Sequence, residues 1–439
     1  MKRKSSLIAL LLILAMVFIT ACSNGDSNSN EAGNSGDNGS SSNSDEEIEL
    51  EFWTMQLQPT FTDYINGIIA DFEEENENIK IKWLDVPAAD LSQKILTAVS
   101  SNTAPDVVNL NPTFASQLAQ LDALVNMEEA VSEEDKNGYV QGAWEANRIN
   151  DVTFAIPWYL STTVTLNNKL IFEEAGLDPE DPPETYEEAK EFAKTIKEET
   201  GKYGYFPSLD LSLVLQHMVS MGAELTNEDG TEAAFNTEEG LYAFEYFTEL
   251  FQDELIPREA LTGDQRATID MYQAGQVAFF DGSQFITQVQ ENAPEVYENT
   301  LPSPAIAGET GKKTMSVQNI VVPSQTEHEE AAVQFALFLT NAENQLEFAK
   351  LTPILPSATE ALEDPYFTDA DDNAEPIDLV RIVSAGQLDE AELLVPPMEN
   401  YDELRTAMHD AISAAMLGEM TPQEALDQAE QDWNEILAK

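Results

Sequence analysis

The sequence predicts an α/β protein of two lobes, each a mainly parallel sheet flanked by helices, carried behind an export leader. Three observations predict it. Beyond residue 47 the 439-residue chain still has 439 − 47 = 392 residues, too many for one ordinary hydrophobic core. Strand-like and helix-like segments alternate from residue 48 onward, the pattern of parallel sheets with covering helices. Ahead of them stand a basic, then apolar leader and a polar spacer that cannot bury a core.

The leader begins with Lys2, Arg3 and Lys4, followed by an uncharged apolar run over 7–19. That run is shorter than the roughly 20 residues of a permanent membrane helix and has the layout of a secretory signal. Ile19-Thr20-Ala21-Cys22 resembles the lipobox of bacterial lipoproteins, so 1–21 reads as a signal peptide and Cys22 as the lipidated first residue, a palmitate-type acyl anchor. Cys22 is the sole cysteine, which excludes an internal disulfide and a thiolate zinc site. Residues 22–47 are rich in Ser, Asn, Gly and Asp and read as a disordered tether. The expected location is the outer face of the cell membrane, held by lipid only.

The chain carries 81 acidic and 21 basic residues, net −60, and removing the three leader charges gives −60 − 3 = −63. Such a surface repels nucleic acid and anionic lipid head groups. A saline or alkaline habitat would explain the coat, and so would a cationic ligand. Hydrophobic residues still make up 42%, enough to fold.

Ile48-Glu49-Leu50-Glu51-Phe52-Trp53 opens the body as a strand. Residues 61–74 read as a helix, with Tyr64, Ile65, Ile68, Ile69 and Phe72 at helical spacing, and Ile79-Lys80-Ile81-Lys82-Trp83 alternates as a second strand. A helix over 91–100 leads to a buried strand, Pro105-Asp106-Val107-Val108-Asn109-Leu110. Ligands of such sheets bind beyond the carboxyl ends of the strands, here Trp53-Thr54 and Asn109-Leu110-Asn111. Extended segments follow at 153–159 and 162–167. Thr185-Tyr186-Glu187-Glu188 opens a helix with a capping box, closed by Gly201. Further on come a helix over 242–251, a strand at 277–280 ending in Asp281-Gly282-Ser283, a loop at Leu301-Pro302-Ser303-Pro304, a strand over 315–322 and a helix over 329–339. The last helices span 401–417 and 421–437, the second opened by Thr421-Pro422-Gln423-Glu424.

Four stretches together resemble the extracellular solute-binding proteins of ABC importers, the group holding maltose-, multiple-sugar- and glycerol-phosphate-binding members. They are Ala104-Pro105-Asp106-Val107-Val108; the succession Phe154-Ala155-Ile156-Pro157, Leu166-Asn167-Asn168-Lys169-Leu170-Ile171-Phe172, Ala175-Gly176-Leu177 and Pro183-Glu184-Thr185-Tyr186; Ala274-Gly275-Gln276-Val277-Ala278-Phe279-Phe280-Asp281-Gly282; and the final helix. The resemblance implies a periplasmic-binding-protein-like (type II) fold with a hinge between lobes. Lobe 1 would hold 48–160 plus 305–351, and lobe 2 would hold 161–304 plus 352–439. It also implies a monomer that captures a small solute, a mono- or oligosaccharide, and delivers it to permease subunits, with no catalysis, cofactor or metal.

Matching positions gives the expected ligand-binding set: Trp53, Thr54, Asn109, Asn111, Trp158, Tyr159, Asp281, Gly282 and Tyr401. Aromatic faces cover the C–H face of a pyranose, and Asn and Asp bond its hydroxyls. Trp158 and Tyr159 carry most weight, being adjacent aromatics after a proline. Ser283 and Gln284 stand where many relatives have a tryptophan, which departs from a maltose-like pattern. A secreted hydrolase with paired carboxylates is the rival class, but 81 acidic residues make chance pairs meaningless, and the nucleophile-elbow, zincin and P-loop motifs are missing. A sensor lipoprotein presenting solute to a receptor is a further alternative. His217, His328 and His409 read as structural or surface residues, and Asp369-Ala370-Asp371-Asp372-Asn373 lacks the turn glycine of a calcium loop.

Overall fold

The computed structural model describes residues 47–439, apart from 150–151, 211–212, 263–264, 309 and 371–372. The leader, Cys22 and the tether up to residue 46 lie outside the described residues, as do Asp371 and Asp372.

Strand β1 (Ile48–Met55) buries Leu50, Phe52 and Thr54 on one face and Trp53 on the other, as a two-residue side-chain period requires. It pairs in parallel with β2 (Ile79–Val86), Ile48 opposite Ile79 through Met55 opposite Val86. On its other side lies β3 (Val107–Leu110), also parallel and wholly buried. Helices Thr62–Glu75 and Ala88–Ser100 make the crossovers, the first burying Ile65, Ile68 and Phe72. This opening βαβαβ follows the sequence reading element by element.

After a short hairpin of β4 (Arg148–Ile149) and β5 (Val152–Thr153), strand β6 (Ile156–Thr162) joins the first sheet. Only Thr163 separates it from β7 (Val164–Asn168), which belongs to a second sheet. That sheet runs in the order β10, β7, β9, β8, where β8 is Tyr203–Phe206, β9 is Val277–Asp281 and β10 is Thr300–Pro304. The chain returns in β11 (Lys313–Val321), and the first sheet is completed by β12 (Leu355–Pro356) and β13 (Ala391–Glu392). Its main order is β12, β6, β11, β3, β1, β2.

Both sheets are mixed, where mainly parallel sheets were expected. β6 carries the chain out of the first sheet and β11 brings it back, so the two pair antiparallel, and β10 lies antiparallel to β7 for the same reason. The segment Leu301-Pro302-Ser303-Pro304, expected as a loop, is the edge strand β10. An edge strand tolerates prolines because one side needs no ladder donors.

The chain also stays with the first sheet past the expected boundary at 351. Leu355 and Pro356 pair with Leu160 and Tyr159, and Ala349, Leu355, Phe367, Leu388 and Ala391 pack with Leu160, Met315 and Val317. Helix Tyr401–Met416 and helix Pro422–Leu437 then join the core of the second sheet through Leu404, Met408, Ile412, Leu426 and Trp433.

Helix Tyr186–Thr200 has the expected capping box, Thr185 with Glu188, and ends at Gly201 in the left-handed region, φ 72°. It presses directly on β8. A Cβ at Gly204 would come within 2.1 Å of the Ala193 Cα, so a glycine is required for helix and strand to meet there.

Candidate functional site

Strand β9 ends at Asp281, at the carboxyl edge of the second sheet. Its carboxylate accepts hydrogen bonds from Thr165 Oγ1 at 2.7 Å and from Tyr205 Oη at 2.8 Å. Beside it, Tyr186 Oη bonds His217 Nδ1 at 2.9 Å, and His217 Nε2 lies 3.1 Å from the Ser208 carbonyl. Burial lowers the His217 pKa below its ordinary value and favours the neutral ring. With neutral imidazole, one nitrogen donates to Ser208 and the other accepts from Tyr186. Burial likewise raises the Tyr205 and Tyr186 hydroxyls, which remain protonated donors.

Asp281, Tyr186, Ser208 and His217 line a cavity of about 70 Å³ together with Thr163, Gln216 and Gln284. Lys312, Lys313 and Thr314, where β11 begins, line it as well. Thr314 Oγ1 donates to Gln216 Oε1 at 3.2 Å. The lysines are neutralised by Glu392 at 2.5 Å and Glu390 at 2.7 Å. Leu213, Ile306 and Leu394 supply apolar surface. The pocket therefore offers hydroxyl, amide and carboxylate partners beside a small apolar wall, and it touches strands of both sheets. Such donors and acceptors match polyhydroxylated ligands.

Of the nine residues expected in the cleft, Asp281 lines this pocket. Gly282 follows as a packing residue: a Cβ there would lie 2.5 Å from Phe280 and 2.8 Å from Phe285. Trp158 is corrected to the core. It is fully buried, stacked on Phe348 with ring centroids 5.4 Å apart and edge-on to Tyr159, so no face is free for a sugar. Trp53 is buried as well, with its indole N–H on Glu51 and Lys94 over its ring at 4.1 Å. Thr54 is enclosed between Trp83 Nε1 and Asp85. Asn109 is wholly buried and donates to the Asn319 carbonyl. Asn111 caps helix Pro112–Ala119 by accepting from Phe114 N. Tyr159 is half-buried, its hydroxyl pKa pushed up to about 12 by burial. Tyr401 is half-buried against the second core, under Arg405.

Sequence reasoning missed Tyr186, Gln216, His217 and the β11 start. Gln284 was noted only for the tryptophan it replaces. Tyr186 read as helix face and His217 as an ordinary histidine, because nothing local places them beside Asp281. The available signal was a histidine within the otherwise apolar helix Leu213–Ser220.

A family model for bacterial extracellular solute-binding proteins matches residues 58–346. The chain belongs to that family. Among relatives of this solute-binding protein, the arabinooligosaccharide-binding protein of Halalkalibacterium halodurans is 27% identical over 342 residues, 74% of each chain. A candidate oligosaccharide periplasmic-binding protein from Synechococcus sp. MITs9220 is 34% identical, with a TM-score of 0.81 over 89% of this chain and 99% of that one. The cyclic alpha-maltosyl-1,6-maltose binding protein of Arthrobacter globiformis shares the fold at 23% identity, with a TM-score of 0.76 over 89% and 99%. The architecture is thus the two-lobed, type II periplasmic-binding-protein fold. Among the described residues, no helix is long and apolar enough to cross a membrane.

Proposed function

We propose that this solute-binding protein is an extracytoplasmic lipoprotein that captures a mono- or oligosaccharide by cleft closure and delivers it to the permease of an ABC importer. One observation carries the reading: the Asp281 pocket is lined both by the end of β9 in the second sheet and by Lys313 and Thr314 at the start of β11 in the first. A guest there gains contacts to both lobes only when they approach, so its binding free energy shifts the population toward the closed form. The names of the relatives support a sugar as the guest. The lysine charges are already paired, which favours a neutral sugar over a phosphorylated one.

The test is a thermal-shift screen of the full chain against arabino-, galacto- and malto-oligosaccharides, followed by calorimetry on the best. A stabilised, saturable complex without turnover supports the reading; no response to any sugar, or release of hydrolysed product, sinks it. Anchoring at Cys22 is tested by palmitate labelling of cells, with loss of label in Cys22→Ser as the expected outcome.

A further inference from the structure

We infer that Gln387 is a positioning residue that ties the rim of the ligand pocket to the interlobe crossings and sets how far apart the lobes rest. The inference depends on the closure reading above.

Gln387 follows helix Pro376–Gly386 and is 3% exposed. Its amide nitrogen donates to Thr162 Oγ1 at 2.8 Å and to the Thr163 carbonyl at 2.5 Å. Its amide oxygen accepts from Ala305 N at 3.1 Å. Thr162 and Thr163 are the point where the chain leaves the first sheet for the second, and Ala305 follows β10 on the way back to β11. One side chain thus bonds the outgoing and the returning connection while itself standing on a third segment. The Thr162 hydroxyl donates onward to the Ser384 carbonyl at 3.1 Å, within that same third segment.

The pocket enters the same network. Ser283, two residues past Asp281, donates from its hydroxyl to the Thr162 carbonyl at 2.9 Å. Thr163, Gln284 and Ala305 line the pocket directly. A rotation of the lobes about Thr163 therefore has to lengthen or exchange at least one bond to the Gln387 amide. Gln387, Thr162 and Ala305 are buried, and a buried amide left without partners costs its full desolvation. The arrangement that keeps the amide saturated is favoured. A guest that shifts the Asp281 rim acts on the same bonds through Ser283.

The experiment uses the full chain with Cys22→Ser and spin labels on Lys82→Cys and Glu198→Cys, exposed positions on β2 and on helix Tyr186–Thr200. Pulsed spin-resonance distances are measured without sugar, in the wild-type background, in Gln387→Leu and in Thr162→Val, with melting recorded for each. A shifted or broadened distance distribution in both variants bears the inference out. Distributions that superimpose on the wild-type background, with only the melting temperature lowered, overturn it and leave Gln387 a packing residue. Thr162→Val removes one hydroxyl and carries the test if Gln387→Leu does not fold. No sugar is present, so this result stands apart from the screen that tests capture.

Discussion

Tyr205 donates its hydroxyl proton to Asp281 at 2.8 Å, and the two residues sit on neighbouring strands, β8 and β9, which run parallel. With Thr165 donating to the other carboxylate oxygen, the group is held in one rotamer at the pocket wall. Asp281→Asn replaces an acceptor of two hydrogen bonds by a group that cannot accept both. It should weaken the best sugar by about 1.5–3 kcal/mol, roughly ten- to 150-fold in Kd. Calorimetry decides it, and an unchanged Kd would remove Asp281 from the site.

Trp158→Ala should act on stability. The ring is buried against Phe348 and Tyr159, and truncating a buried tryptophan costs about 3–5 kcal/mol. Urea unfolding should show that loss, while the sugar affinity of the folded fraction stays as it was. A selective loss of affinity at unchanged stability would return the residue to the cleft.

The His217 ring gives a pH dependence whose sign follows from its burial. Its folded pKa lies below the ordinary 6.5, so above that value both states are neutral and its stabilising effect is complete. Below it the unfolded chain takes up a proton that the folded chain refuses, and stability falls as pH drops toward the folded pKa. Melting temperatures from pH 7.5 down to 5 should fall more steeply for wild type than for His217→Gln (about 6.5 marks the onset). Parallel curves would contradict the assignment.

Gly204→Ala places a methyl group 2.1 Å from the backbone of Ala193. Helix Tyr186–Thr200 has to lift from β8, and overpacking of this kind costs about 1–3 kcal/mol or more. The expected readout is a lower denaturation midpoint; a midpoint equal to that of wild type would mean the helix shifts freely.

A net charge of −60 makes the compact state repel itself, and salt at about 0.1 M screens beyond roughly 10 Å. The melting temperature should therefore rise between low salt and seawater-like salt. A flat response would argue against a saline origin of the acidic coat.

The sequence revealed those parts of the fold whose signals are local. The Ile48-to-Leu110 strands and helices, the Thr185 and Thr421 capping boxes and the Gly201 terminus depend on neighbours within a few residues, and all stand where periodicity puts them. β8 went unread because Tyr203-Gly204-Tyr205-Phe206 is four residues long with a glycine inside. β10 was hidden by its two prolines. The site was less legible still. Asp281, which lines the candidate pocket, could be singled out because it terminates a recognisable strand, but Tyr186, His217 and Lys313 line that pocket from segments 95, 64 and 32 positions away by number. Trp158 misled because two neighbouring aromatics on a strand look difficult to bury, whereas Phe348, from a distant helix, receives both.

Because β6 passes into β7 through one residue and β11 returns the chain to the sheet it left, neither half is a contiguous stretch of polypeptide. Cutting the gene at Thr163 would yield a first product without β11, β12 and β13, and a second that holds all of β7 to β10 but leaves β11 without β3 and β6 to pair with. Ribosomal synthesis meets the same constraint: the first sheet waits for β11, which is made only after the whole second sheet has been synthesised.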